Sequence, residues 1–208
     1  MLFVSPPSFL RKIYSSLTWH IPVTDKKVFI TFDDGPVPEA TPFVLDILKK
    51  HNAHATFFCI GKNVQKSPDL YARIISEGHT TGNHTYTHIN GWRTKRDVYI
   101  ENVEQCARQV KSNLFRPPYG KISRKQIKVL AQGYKIIMWD VLSYDFDKEV
   151  TQKECLQNVL KNVRPGSIIV FHDSVKAFNS MSYTLPIVLE KLTSLGYSFD
   201  AIPQRLKQ

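Results

Sequence analysis

Short apolar runs alternate with segments of helical spacing along almost the entire chain. Residues 27–32 (KVFITF) are β-branched and aromatic on consecutive positions, the pattern of a strand buried on both faces. Phe43, Val44, Ile47 and Leu48 then recur at helical spacing behind Thr41, read as an N-cap, with Pro42 at the first helical position. Residues 54–60 (HATFFCI) read as a second strand. Ser67 and Pro68 open a helix with Leu70, Ile74 and Ile75 on one face, ended by Gly78. Further helices are expected near residues 94–111, 123–132, 151–163 and 183–195. Capping-box spacing joins Thr94 to Asp97, Ser123 to Gln126 and Thr151 to Glu154. Gly133 and Gly196 are placed to end helices, and apolar runs at 134–139, 167–171 and 197–202 lie between them. Shorter strands are expected near 79–83 and 114–116.

The alternation amounts to about seven strand–helix units, hence an α/β fold with parallel strands and right-handed crossovers. An open doubly wound sheet and a closed barrel both satisfy it. No internal repeat or linker marks a second globular unit. The expected organisation is an N-terminal extension over residues 1–26, packed on or near a domain over 27–208. Within the extension, residues 8–19 predict a short amphipathic helix with Phe9, Leu10, Ile13 and Leu17 on one side. Such a face serves the core or, alternatively, a membrane surface.

Composition narrows the classes. With 42% hydrophobic and 22% charged residues, the chain of 208 residues is ordinary globular protein. Its 28 Lys+Arg against 18 Asp+Glu leave +10, which favours anionic partners. The basic residues are dispersed in pairs at most, and no basic helix interleaved with aromatics occurs, so no nucleic-acid partner is expected. No stretch reaches the ~20 apolar residues that cross a bilayer. Arg11 and Lys12 follow the first apolar cluster, which prolines interrupt, a poor secretion signal. A cytoplasmic or envelope-associated protein is the expectation. Cys59, Cys106 and Cys155 lack a CxxC pair, so buried reduced thiols are expected rather than a disulfide framework or a cysteine metal site.

The candidate chemistry is positional. Asp33 and Asp34 follow the first strand, His84 and His88 the third, Arg116 the fourth, Asp145 a loop after the fifth, and His172 and Asp173 the sixth. Parallel strands bring their carboxyl ends to one face, so these distant residues are expected to meet there. Two adjacent carboxylates need a cation or donors to stay ionised. Histidines four apart on one helical turn share a face and can hold one metal ion. Each feature alone has a plainer reading: a solvated Asp–Asp–Gly turn, a hydrogen-bonded loop histidine, a surface ion pair for Arg116, and His172 bound to Asp173. Two imidazoles and one carboxylate form an open, catalytic metal set, which acidifies a water and polarises a carbonyl. Such a site also needs a base and an acid.

In this order, Thr31-Phe32-Asp33-Asp34-Gly35, His84-Thr-Tyr-Thr-His88, Arg116-Pro-Pro-Tyr-Gly120, residues 139–146 (WDVLSYDF) and Val170-Phe171-His172 make the chain resemble the polysaccharide deacetylase family, also described as NodB-homology or carbohydrate esterase family 4 domains. The resemblance runs from about Lys27 to Ile202 and implies an irregular (β/α) barrel, usually of seven strands. It implies that Asp34, His84 and His88 hold one divalent metal, zinc in the first place, with cobalt, nickel or manganese as alternatives. It implies Asp33 as general base, Arg116 holding it by a charge-assisted contact, and the Tyr119 backbone N–H as oxyanion donor. His172 would be the general acid and Asp145 its orienting partner. Leu142 and Phe146 stand where the family commonly has Asp and Trp, and Val170 where it often has Leu, which alters the expected wall of the sugar groove. The implied activity is removal of N-acetyl groups from amino sugars of a peptidoglycan- or chitin-like glycan. Deacylation of a lipid-linked or small amide substrate, with membrane-surface contact, and a non-catalytic glycan-binding module are the alternatives.

Overall fold

The chain folds as an irregular α/β barrel of parallel strands, and the computed structural model describes residues 3–204. Helix α1 (Ser8–Ile13) precedes strand β1 (Lys27–Asp33), helix α2 (Thr41–Lys50), β2 (Thr56–Cys59), α3 (Gly61–Lys66), α4 (Pro68–Ser76) and β3 (Thr80–Asn83). Then follow α5 (Arg96–Ala107), β4 (Leu114–Phe115), α6 (Arg124–Leu130), β5 (Lys135–Ile136), β6 (Val141–Leu142), α7 (Gln152–Leu160), β7 (Ile168–His172), α8 (Phe178–Ser194) and β8 (Ser198–Phe199). Seven strands run in the order β5-β4-β3-β2-β1-β7-β6, and β8 pairs with β1 off this path. Every pairing is parallel. Consequently the carboxyl ends of all the strands face the same way.

The central strands are apolar on both faces because both are covered. Phe32 is fully buried and stacks on Phe57 at 5.1 Å and on Phe171 at 6.1 Å between ring centroids. Val44, Leu45 and Leu48 of α2 and Leu185, Val188, Leu189 and Leu192 of α8 pack into the same cluster. Gln126 and Ser123 form a reciprocal capping box on α6, as do Glu154 and Thr151 on α7. The three cysteines are free and buried. Among the described residues no helix is long and apolar enough to cross a membrane.

Three local expectations are corrected. Thr41 is the first residue of α2 rather than its N-cap, and its hydroxyl accepts from Val37 N and donates to Asp173 Oδ2. Thr94 does not cap α5; its hydroxyl donates to Asn90 O at 2.8 Å, and the helix begins at Arg96 behind Lys95. The seventh strand of the path is β6, whereas the run at 197–202 supplies only the short β8 against the start of β1. Two residues are too few to carry a periodic signal, so β6 had no pattern to betray it.

The path ends at β5 and β6, and the N-terminal segment lies along both. Thr18 N donates to Ile136 O and Thr18 O accepts from Met138 N, while Val4 O accepts from Leu142 N at 2.8 Å. Ile21 N donates to Gly166 O just before β7. An ion-pair cluster fastens the segment: the buried Asp140 meets Arg11 Nη1 at 2.6 Å and also accepts from Arg164 and Ser167. Burial pushes the Asp140 carboxyl up, but these donors outweigh it and hold it below the usual range. Replacing Arg11 with Met removes one charge-assisted bond of a partly buried pair and should cost about 1–2 kcal/mol in denaturant unfolding. Limited proteolysis should then cut before residue 20 faster than in the parent protein.

Candidate active site

The sequence-selected residues converge at the carboxyl ends of the strands. Asp33 ends β1 and His172 ends β7, and the two are register partners in adjacent strands. His84 follows β3 directly, Arg116 follows β4, and Asp145 lies in the loop after β6. A cavity of about 380 Å³ is lined by Asp33, Asp34, His84, His88, Arg116, Tyr119 and His172. Asp145 stands behind His172 rather than in this wall.

Local backbone geometry aims the side chains. Asp34 has φ 85°, which turns its carboxylate away from the strand direction. Gly35 N donates to Asp173 Oδ1 at 3.0 Å, and a Cβ at Gly35 would fall 1.9 Å from Asp173 Oδ2, so only glycine fits this approach. Burial pushes Asp173 up to about 8, against the opposing donors Thr41 and Gly35. The stretch from His84 to His88 is an irregular loop rather than a helical turn; Thr85 and His88 are left-handed at φ 63° and 56°. Asn83 Oδ1 accepts from Thr85 N, and Asn102 Oδ1 accepts from Tyr86 N and Thr87 N, which fixes the loop. Neither asparagine carried a sequence signal, because amides that hold backbone resemble any surface amide.

Arg116 is 1% exposed. Its Nη1 donates to Asp33 Oδ1 and to Thr31 Oγ1, both at 2.7 Å, while Nη2 and Nε donate to Met138 O and Ile137 O. The plainer reading of a surface ion pair is therefore excluded. His172 Nδ1 lies 2.8 Å from Asp145 Oδ1, and His172 N donates to Asp145 Oδ2 at 2.7 Å. Its partner is thus Asp145 and not Asp173. Burial pulls His172 down, but the charge and hydrogen bond of Asp145, with Asp34 and Asp33, raise it to about 9. Phe146 meets the His172 ring edge-on at 4.8 Å and stacks on Tyr144, filling the wall where the family commonly has Trp.

The donor set fits a divalent cation. His84 Nδ1 lies 2.8 Å from Arg116 O, a carbonyl that can only accept, so Nδ1 carries the proton. Burial first, and His88 as well, pull His84 down to about 4 against Asp33 and Asp34, so at neutral pH its Nε2 is a bare lone pair. That lone pair faces Asp34 Oδ1 at 3.8 Å and Asp33 Oδ2 at 3.9 Å. Asp34 Oδ1 is buried and accepts no hydrogen bond, although His88 Nε2 is 3.1 Å away. Ligand atoms of Asp34, His84 and His88 all lie within 4.8 Å of one another. Lone pairs gathered in this way repel unless a proton or a cation stands among them. A histidine whose second nitrogen donates to a carbonyl is also how metal-ligating imidazoles are oriented.

The family model described as Polysaccharide deacetylase matches residues 20–136. A peptidoglycan-N-acetylglucosamine deacetylase of Bacillus cereus is 37% identical over 190 residues, covering 88% of this chain and 69% of the relative. A chitooligosaccharide deacetylase of Bradyrhizobium is 31% identical over 198 residues, covering 86% of this chain and 90% of the relative. The crystal structure of a peptidoglycan N-acetylglucosamine deacetylase superposes with TM-score 0.86 at 34% identity, covering 95% of each chain.

Replacing His88 with Ala should weaken divalent-metal affinity at least ~100-fold, read by elemental analysis of dialysed protein and by metal titration. Acidification should release the ion in the same assays, since the ligands bind only when deprotonated.

Proposed function

The chain belongs to the polysaccharide deacetylase family, hydrolases acting on carbon–nitrogen bonds, and from that premise we propose that it is a metal-dependent enzyme removing N-acetyl groups from amino sugars of a peptidoglycan- or chitin-like glycan. What supports the metal dependence is the convergence of ligand atoms of Asp34, His84 and His88 within 4.8 Å of one another, with the His84 proton turned away to the Arg116 carbonyl. A divalent ion held there, zinc in the first place, supplies Lewis acidity to a water and to the amide carbonyl.

The chain's own residues supply the proton movements. Asp33, fixed by Arg116 through Oδ1, takes a proton from the attacking water as its oxygen bonds to the amide carbon. The carbonyl π electrons move to oxygen, and the Tyr119 N–H stabilises that charge. Tyr119 lines the cavity, and its ring lies 4.6 Å from that of His88. As the C–N bond breaks, its electron pair stays on nitrogen and takes the proton of His172. The leaving amine is a poor anion, so a charged acid is required, and Asp145 keeps His172 charged and turned. The products are a free amino sugar and acetate. No covalent bond to the protein forms.

The deciding experiment measures acetate release from chitooligosaccharides, peptidoglycan and lipid-linked amino sugars, with and without a chelator. Release from the glycans that chelation abolishes supports the proposal; release only from lipid-linked sugars, or none, overturns it. Asp33→Asn should lower kcat about 10²–10⁴-fold with metal content retained. Asp145→Asn removes the charge that raises His172, so the alkaline limb of the kcat/KM profile should move to lower pH.

A further inference from the structure

Asp34, His84 and His88 sit on two separate pieces of irregular backbone, the turn at Asp34 and Gly35 and the loop at 84–88. Both are gripped by one short segment, residues 60–63, where β2 passes into α3. Ile60 N donates to Gly35 O, Gly61 N to Thr85 O and Lys62 N to Tyr86 O, each at 3.0 Å. The next residue continues the series with its side chain: Asn63 Nδ2 donates to Asp34 O at 2.7 Å. The outer two of four consecutive residues thus hold the Asp34 turn, and the inner two hold the histidine loop.

The fit is close. A Cβ at Gly61 would fall 2.7 Å from the Tyr86 ring and 3.0 Å from the Cys106 Cα, so the segment lies flush against the histidine loop. The Tyr86 hydroxyl donates to Gln65 Oε1 of α3, and His84 N donates to Cys59 O at 3.0 Å, which extends the grip to either side. From β7, Asp173 Oδ1 accepts the Gly35 N–H, and Asp173 N donates to Asp33 O at 3.1 Å.

The two ligand-bearing pieces need such restraint. Asp34, Thr85 and His88 are non-glycine residues at φ 85°, 63° and 56°. Left-handed backbone under a side chain persists only where its surroundings over-determine it. Released, Asp34 would relax toward an ordinary φ and swing its Oδ1 out of the 3.1 Å and 3.8 Å spacings it keeps from His88 Nε2 and His84 Nε2. Three of the four donors in residues 60–63 are backbone N–H groups, which only proline would remove. The fourth belongs to the Asn63 amide, so the residue type at that position decides whether the Asp34 carbonyl is held.

We infer that Asn63 is a positioning residue for the divalent-ion site: its amide fixes the Asp34 carbonyl from the same segment that holds the loop at 84–88, and so sets the spacing of the three ligands; this rests on the metal reading proposed above. Asn63 lies outside the wall of the catalytic cavity and acts through Asp34. Ligands spaced in advance lose less binding free energy to ordering. An amide with a merely structural role would change stability and leave ion affinity alone.

The test uses the full chain, stripped of metal and titrated with zinc against a chromogenic chelator, alongside thermal unfolding at a fixed free zinc concentration. Asn63→Leu, similar in size but without the amide, and Asn63→Ala should weaken zinc binding about 10–100-fold, the range for partners that orient a ligand. Asn63→Gln, which keeps an amide on a longer arm, should lose less than either. The rise in Tm on adding zinc should shrink in the same order, since that rise reads affinity. Arg11→Met should lower Tm and keep the zinc affinity of the wild type. Asn63→Ala adds no bulk, so it decides the matter if the leucine variant fails to fold.

Wild-type zinc affinity in both Asn63→Leu and Asn63→Ala overturns the role. So does an equal loss in Arg11→Met, because lowered stability would then explain the effect, and so does a wild type that binds no zinc. Acetate release from a glycan, with zinc affinity unchanged in every Asn63 variant, removes the role and leaves the activity standing. The expected loss of zinc affinity, with no acetate released from any glycan by the wild type, removes the activity and leaves the role standing.

Discussion

A guanidinium enclosed in the barrel interior is tolerable only if acceptors meet its N–H groups, and Arg116 imposes that condition on the site. Its side chain takes acceptors from Asp33 and Thr31 on β1 and from the carbonyls of Ile137 and Met138 beyond β5. Its guanidinium also lies over the Phe58 ring, 4.1 Å from the centroid. Its backbone N donates to Asn83 O and its carbonyl accepts from His84. One residue thus spaces the base and one imidazole relative to each other. Removing a partner from such a buried pair costs about 3–5 kcal/mol, so the arrangement has little freedom to drift.

Two of the three imidazoles that line the cavity, His84 and His172, are driven to opposite protonation states by what they touch. His84 gives its one proton to a carbonyl and is neutral, whereas His172 faces a buried carboxylate and is charged. The separation of roles follows from neighbours, since the two side chains are chemically identical.

Much of this was legible in the chain. β1 and β7 announce themselves by consecutive β-branched and aromatic residues, and polar residues planted after such runs mark the carboxyl face. The parallel alternation then implies their convergence without any knowledge of distances. Asp33, Asp34, His84, His88, Arg116 and His172 come together as that logic requires. What stayed hidden has a common cause. The loop holding His84 and His88 depends on left-handed residues and on Asn102, which is 16 residues from Tyr86 in the chain yet hydrogen-bonded to its backbone. Thr41 has the side chain of a cap yet serves Asp173, because tertiary acceptors outcompeted the local helix end. β6 and the seating of Val4 and Thr18 are backbone pairings, which leave no trace in side-chain pattern.

The seam between β5 and β6 has a practical meaning for anyone designing a shorter protein. A version cut at the family boundary would lose Phe3, Tyr14 and Thr18 while keeping the strands they cover. Unpaired strand edges beside the uncovered Met138 and Trp139 would then offer a template for self-association. Excision that looks conservative on a domain map would leave the sticky side of the barrel bare.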